Sequence, residues 1–271
     1  MKPWPRKLLN ILLAVVFVFS ITMYTRQRQE KTVAVKTYES ALELATVQKE
    51  TVVKAPVIPE ETQAAQLRWV PEPPPEEDPN LQLLETIDLE ALRAVNPDVI
   101  GWIHIPDTQI NYPLMQGQDN DYYLHRTWEG NENVAGSIFL EHRSSSDLMD
   151  FNTIVYGHNM KNGSMFAGIR AYRDAEFWQE HPYVYILSDL GVYRYEVFSS
   201  YLAATDSKTY GLSFLSQKTR ISFLENAREN SMIQTGIEPA TTDRVLTLST
   251  CSGGSYANRW VVHARLKMIQ Q

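Results

Sequence analysis

Glycine and proline divide this chain more sharply than any other feature. All twelve glycines lie at or after Gly101, while seven of the fourteen prolines crowd between Pro56 and Pro79, including Pro73-Pro74-Pro75. Glycine supplies the tight turns that strand-rich folds require. A Pro/Glu-rich run instead favours extended polyproline conformations and buries no core. The folded domain is therefore expected over residues 81–271, behind a stalk at 25–80. Within the stalk, Tyr38, Ala41, Leu42 and Ala45 keep helical spacing, so a modest helix competes with disorder there. Charge follows the same division. The first eighty residues carry ten basic and ten acidic side chains, so the net −7 belongs wholly to the domain.

Ahead of the stalk, Leu8–Tyr24 is a 17-residue apolar run without charge, preceded by Lys2, Arg6 and Lys7 and followed by Arg26, Arg28 and Lys31. That length is at the short limit for a spanning helix. A cleaved signal peptide is the competing reading, but no small-x-small site follows the run. Residues 1–24 are read as a cytoplasmic tip and an N-terminal transmembrane anchor. Basic residues flank both sides almost equally, so charge alone does not orient it.

Beyond residue 81 the pattern is mostly β. Leu81–Val95 reads as a helix with Asp88 as an internal cap candidate and Asn96-Pro97 as its stop. Eight short β-branched or aromatic runs follow: Val99–Ile105, Ile110–Met115, Ser137–Leu140, Thr153–Tyr156, Tyr183–Leu187, Val192–Tyr201, Arg244–Ser249 and Arg259–Lys267. Late in the chain, Phe214, Ile221, Leu224 and Ala227 share a helical face across Ser213–Asn230. Eight strands with a few helices suggest a closed barrel or a sandwich with helical insertions.

The chain has one cysteine, which excludes an internal disulfide framework and Cys-pair zinc sites. The negative charge argues against nonspecific nucleic-acid binding. Cys251 is therefore inert packing or a reactive thiol. It ends a strand, and Arg259 opens the next after a Gly-containing loop from Ser252 to Asn258. If the two strands pair, cysteine and guanidinium face each other, an arrangement that lowers a thiol pKa and can bind an oxyanion. Among six histidines, His158 follows the strand Thr153–Tyr156 and Gly157, where functional side chains concentrate. His104 and His263 lie mid-strand, on surfaces that solvent could reach.

These residues resemble the sortases, membrane-anchored cysteine transpeptidases of Gram-positive bacteria. Thr247-Leu248-Ser249-Thr250-Cys251 matches the family's TLxTC signature, Arg259 falls at its arginine and Tyr156-Gly157-His158 at its histidine segment. Asn96–Ile103, Tyr112-Pro113, Asp119–Leu124 and Ala135–Leu140 add ordered blocks similar to class B sortases. The resemblance covers about residues 81–268. It implies a mostly β fold, a closed eight-stranded sortase-type barrel with an N-terminal helical extension and a helix inserted before the Cys-bearing strand.

The resemblance also implies a reaction. Cys251 would attack the Thr carbonyl of a C-terminal sorting motif (NPxT-type for class B) in a secreted protein, giving a thioester that a peptidoglycan-precursor amine resolves. His158 would serve as acid then base, and Arg259 would hold the oxyanion. Asn120, Leu124, Tyr156, Ser249 and Tyr210 match substrate contacts. No cofactor or metal is implied. The implied location is the cell membrane, single-pass, with the N-terminus cytoplasmic and the domain outside. Asp174, Asp189 and Asp206 are all open as a third catalytic member. A pilus-polymerising sortase, another cell-wall cysteine enzyme such as an L,D-transpeptidase, and a non-enzymatic surface-displayed β-domain are the rival readings.

Overall fold

The computed structural model describes residues 6–47, 78–251 and 257–270, with Cys251 described by its backbone alone. Most of the Pro/Glu-rich segment and most of the loop after Cys251 lie outside the described residues. Helix α1 (Arg6–Val47) runs 42 residues without a break. Its apolar N-terminal part is exposed, from Ile11 at 61% to Tyr24 at 61%. Further along, Ala34, Tyr38, Ala41 and Ala45 form a buried stripe at i, i+4, i+7 and i+11. That stripe rests on the domain. Tyr38 Oη donates to the Gly136 carbonyl at 2.5 Å, Trp128 Nε1 reaches Thr37 O at 3.0 Å, and the Tyr38 and Tyr112 rings meet edge-on at 5.1 Å.

The single helix expected over Leu81–Val95 is two, α2 (Pro79–Glu85) and α3 (Leu89–Val95). Asp78 caps the first through Asn80 N, with Pro79 at its first turn. The break comes from Asp88, whose carboxylate takes the Ala91 N–H at 3.0 Å and starts a new helix while its own N–H bonds Ala45 O in α1. Each expected strand is present, with no end shifted by more than three residues: β1 (Val99–His104), β2 (Asn111–Met115), β3 (Ile138–Leu140), β4 (Asn152–Gly157), β5 (Tyr183–Ser188), β6 (Gly191–Ala204), β7 (Val245–Cys251) and β8 (Asn258–Gln270).

The strands close into a barrel of order β1-β2-β3-β4-β7-β8-β6-β5. Pairing is antiparallel except for the parallel pairs β2–β3 and β4–β7. Closure leaves no open edge and confines inward side chains such as Ile103, Leu114, Val155, Tyr195 and Val262 to a buried interior. Between β5 and the preceding β4 lie a 3-10 segment (Phe166–Arg173) and α4 (Ala175–Glu180).

The inserted helix α5 (Gln217–Glu229), capped by Ser216, seals a second apolar cluster outside the barrel wall. Phe223, Leu224 and Ala227 supply its buried face against Phe198, Val245 and Val261. Two members of the expected helical face differ. Phe214 precedes the helix and packs on Phe151 at 4.6 Å, while Ile221 is 40% exposed.

Candidate active site

Three adjacent strands set the geometry. Parallel β4 and β7 stay in register from Asn152↔Val245 to Gly157↔Thr250, and antiparallel β7 and β8 end on Cys251↔Arg259. His158, one residue beyond Gly157, is thus level with Cys251, and Arg259 lies opposite Cys251 on the other side. Neighbouring strands are about 4.8 Å apart, so the three backbones meet at one end of the barrel.

The exit of β4 is tightly held. A Cβ on Gly157 would lie 2.5 Å from Ile138 Cδ1 and 2.8 Å from the Phe166 ring, so any larger residue must displace those side chains or the strand end. His158 O accepts the Phe166 N–H at 2.9 Å, and Tyr112 Oη accepts the Met165 N–H at 3.1 Å, closing the loop back on the sheet. The ring is oriented as well. His158 Nε2 lies 2.7 Å from Leu124 O. A carbonyl only accepts, so Nε2 carries a hydrogen and the lone pair of the neutral ring sits on Nδ1.

A cavity of about 310 Å³ opens beside this point, lined by Asn120, Leu124, Tyr156, His158, Tyr210 and Arg259 among others. Six of the eight site residues expected from sequence therefore share one wall. Ser249 does not line it; it is 1% exposed, and its Oγ meets Tyr210 Oη at 2.9 Å, so it acts on the cavity only through that ring. Burial, and then the negative charge of Glu141, raise the Tyr156 phenol above its ordinary value, while the Arg259 charge acts in the opposite sense.

Glu141 was not singled out by the sequence. It follows β3, lines the same cavity, and has both oxygens occupied by hydrogen-bond or ion-pair partners. The one sequence signal available for it is a charged residue set directly after the apolar run Ile138–Leu140. None of the three aspartates left open lines this cavity: Asp189 pairs with Arg93 at 2.9 Å, Asp174 is beside Arg173, and Asp206 is exposed next to the cavity-lining Thr205.

His104 and His263 are not on solvated surfaces, contrary to expectation. They are 8% and 0% exposed. His263 points into the cluster under α5, where its nitrogens meet Thr247 Oγ1 at 2.9 Å and Tyr201 Oη at 3.1 Å. Among the described residues, no group of His, Cys, Asp and Glu is arranged to hold a metal ion.

A family model described as Sortase domain matches residues 103–267. Sortase B of Listeria monocytogenes is 40% identical over 164 residues, which span 60% of this chain and 67% of that one. Sortase B of Staphylococcus aureus is 32% identical over 162 residues, spanning 60% and 66%. Among solved structures, the Staphylococcus aureus sortase B–substrate complex superposes with a TM-score of 0.64 at 30% identity, over 67% of this chain and 85% of that one. Sortase B from B. anthracis in complex with AAEK2 gives 0.62 at 42% identity, over 68% and 83%.

Fold and matches together define a cysteine transpeptidase built on a closed mixed barrel. The chain belongs to the sortase family, and its similarity is to class B members.

Proposed function

We propose that Cys251, His158 and Arg259 carry the transpeptidation, and that the substrate is the C-terminal sorting motif, NPxT-type, of secreted proteins. The observation that carries this reading is the register: three strand ends on β4, β7 and β8 bring a thiol-bearing, an imidazole-bearing and a guanidinium-bearing residue together beside one cavity.

The Cys251 thiolate attacks the Thr carbonyl carbon, forming a C–S bond and an oxyanion that the Arg259 guanidinium neutralises. Collapse of this intermediate breaks the C–N bond, and His158 delivers the Nδ1 proton to the departing amine, leaving a thioester. A cell-wall amine then attacks, His158 takes its proton, and the thiolate leaves. Asn120, Leu124, Tyr156 and Tyr210, with Ser249 behind Tyr210, form the proposed peptide-binding wall.

The proposed setting is the outer face of the cell membrane. Helix α1 includes a stretch within Asn10–Thr46 long and apolar enough to cross a bilayer. It would span with its N-terminus cytoplasmic, the segment 25–80 would continue outside, and the acceptor would be a peptidoglycan-precursor amine.

The buried stripe at Ala34–Ala45 packs on the domain, so the test uses the full chain in detergent micelles. It is expected to cleave an NPxT-type peptide between Thr and the following residue and to transfer the acyl part to an added amine. Cys251→Ala and His158→Ala are each expected to lower kcat/KM by at least about 10³-fold, the scale on which nucleophile and acid–base losses fall. A folded wild-type chain that leaves a panel of sorting peptides intact, scored by chromatography, would contradict the proposal.

A further inference from the structure

Among the described residues, Glu141 is the one carboxylate that lines the cavity, and the mechanism above does not use it. Its side chain is 1% exposed. Its Oε1 takes Arg143 Nε at 2.7 Å and lies 3.1 Å from His142 Nδ1. Its Oε2 takes Asn120 Nδ2 at 2.7 Å and Tyr156 Oη at 3.1 Å. Two side chains of the proposed peptide-binding wall, one from the β2–β3 connection and one from β4, therefore spend a donor on the same buried oxygen.

That commitment fixes what the wall can offer. A phenol has one hydrogen, and with that hydrogen given to Glu141, the Tyr156 oxygen can only accept from the cavity. The Asn120 amide is locked at both ends, because its Oδ1 accepts the His142 N–H at 2.9 Å while Nδ2 faces the carboxylate. A flip would point a donor at the His142 N–H and an acceptor at the carboxylate. What remains is an acceptor at Tyr156 and, at Asn120, one N–H beside the second lone pair of Oδ1; the Tyr156 acceptor and the Asn120 N–H form a pair suited to the alternating N–H and C=O groups of an extended peptide. The carboxylate keeps its charge: burial opposes ionisation, but the hydrogen bonds from Arg143, Asn120 and Tyr156 outweigh it and hold Glu141 below the ordinary carboxylate value.

We infer that Glu141 is a positioning residue, which fixes this donor–acceptor pair for the sorting peptide and so governs peptide affinity rather than the acyl-transfer step. The inference rests on the peptide-binding reading proposed above. Glutamine at this position would keep the shape, but its NH2 would point a hydrogen either at Asn120 and Tyr156 or at Arg143 and His142. One side of the lock then has to turn.

The experiment uses the full chain in detergent micelles and a fluorescein-labelled NPxT-type peptide. Affinity is read by anisotropy in a Cys251→Ala chain, turnover in the chain with Cys251 intact. Glu141→Gln is expected to raise both Kd and KM about tenfold, the scale of a charged hydrogen bond lost from a buried pair. kcat should stay within about twofold, and the thiol should label with full stoichiometry. In an Asn120→Ala/Tyr156→Phe chain the same substitution should add less than about twofold, because the groups it orients are gone.

Unchanged Kd and KM, a loss confined to kcat, or the full tenfold effect in the Asn120→Ala/Tyr156→Phe chain would overturn the inference. If Glu141→Gln does not fold, Glu141→Asp, which keeps the charge but draws it back from Asn120 and Tyr156, carries the same expectation of raised KM with kcat held. A peptide that binds but is never cleaved overturns the function proposed above, while the Kd comparison still decides this inference. A peptide that binds neither chain overturns the inference too.

Discussion

His263 illustrates how a single side chain in this barrel works without touching the reaction. It is fully buried on β8 between Thr247 and Tyr201, with the Phe198 ring stacked at 5.9 Å and the Phe223 ring edge-on at 5.5 Å. Burial drives its pKa down from 6.5 to about 3. Below pH 6.5 the unfolded chain binds a proton that the folded chain refuses, so this contribution is intact above that pH and is lost as pH falls toward 3. One pKa unit is worth about 1.4 kcal/mol, so acidification from pH 6.5 to 5 is expected to cost about 2 kcal/mol from this group. His104, lowered by burial as well, adds in the same direction. Urea unfolding at pH 7 and pH 5 checks this: His263→Gln should be less stable at pH 7 yet lose less on acidification. Equal losses in both chains would contradict it.

The same scale shows what sequence could convey about the site. The convergence of Cys251, His158 and Arg259 was legible because each falls at a strand terminus beside glycine or a loop, and register follows once the strands are placed. Glu141 was hidden because its importance lies in four partners, of which Asn120 and Tyr156 are 21 and 15 residues away. Ser249 was legible as a position but not in its burial beneath Tyr210.

At the scale of elements, the strands were readable because β-branched and aromatic runs alternate or stay apolar between turn residues, whatever their partners. Helix boundaries were harder, since they hinge on which side chain captures which N–H. Asp88 splits one apolar periodicity into α2 and α3 by that means. The strand β4 depends on a missing side chain. Gly157→Ala must push aside Ile138 or Phe166, and overpacking of this kind typically costs about 1–3 kcal/mol. Because His158 follows directly, activity is expected to fall further than stability explains, to below about a tenth of wild type in chains still folded by circular dichroism. Activity near wild type would show that the strand end tolerates the extra methyl.

Helix α1 gives a second element-scale prediction. Tyr38→Phe loses the hydroxyl's bonds to Gly136 O and Ser137 Oγ, expected at about 1 kcal/mol, whereas Tyr38→Ala also opens a cavity and is expected at about 3–5 kcal/mol. Denaturant unfolding of a chain starting at residue 26 would measure both. No change in either variant would mean that the helix does not brace the barrel.

For the whole molecule, composition set the apolar N-terminal run apart from the glycine-bearing barrel, but not the continuation of α1 to Val47 through the first part of the expected stalk. Closure of the barrel was implied by the family resemblance and not by local pattern, since β1–β5 and β4–β7 join strands far apart in sequence. The net −7 has no structural account in the site, whose wall mixes Glu141 with Arg143 and Arg259. The central claim is that Cys251 becomes acylated by a sorting peptide, and intact-mass spectrometry of the full chain tests it most directly. After quenching in acid during turnover of an NPxT-type peptide, the chain should carry one added acyl fragment ending at Thr, mapped to Cys251 and released by hydroxylamine. An adduct on another residue, or peptide cleavage that persists undiminished in Cys251→Ala, would contradict it.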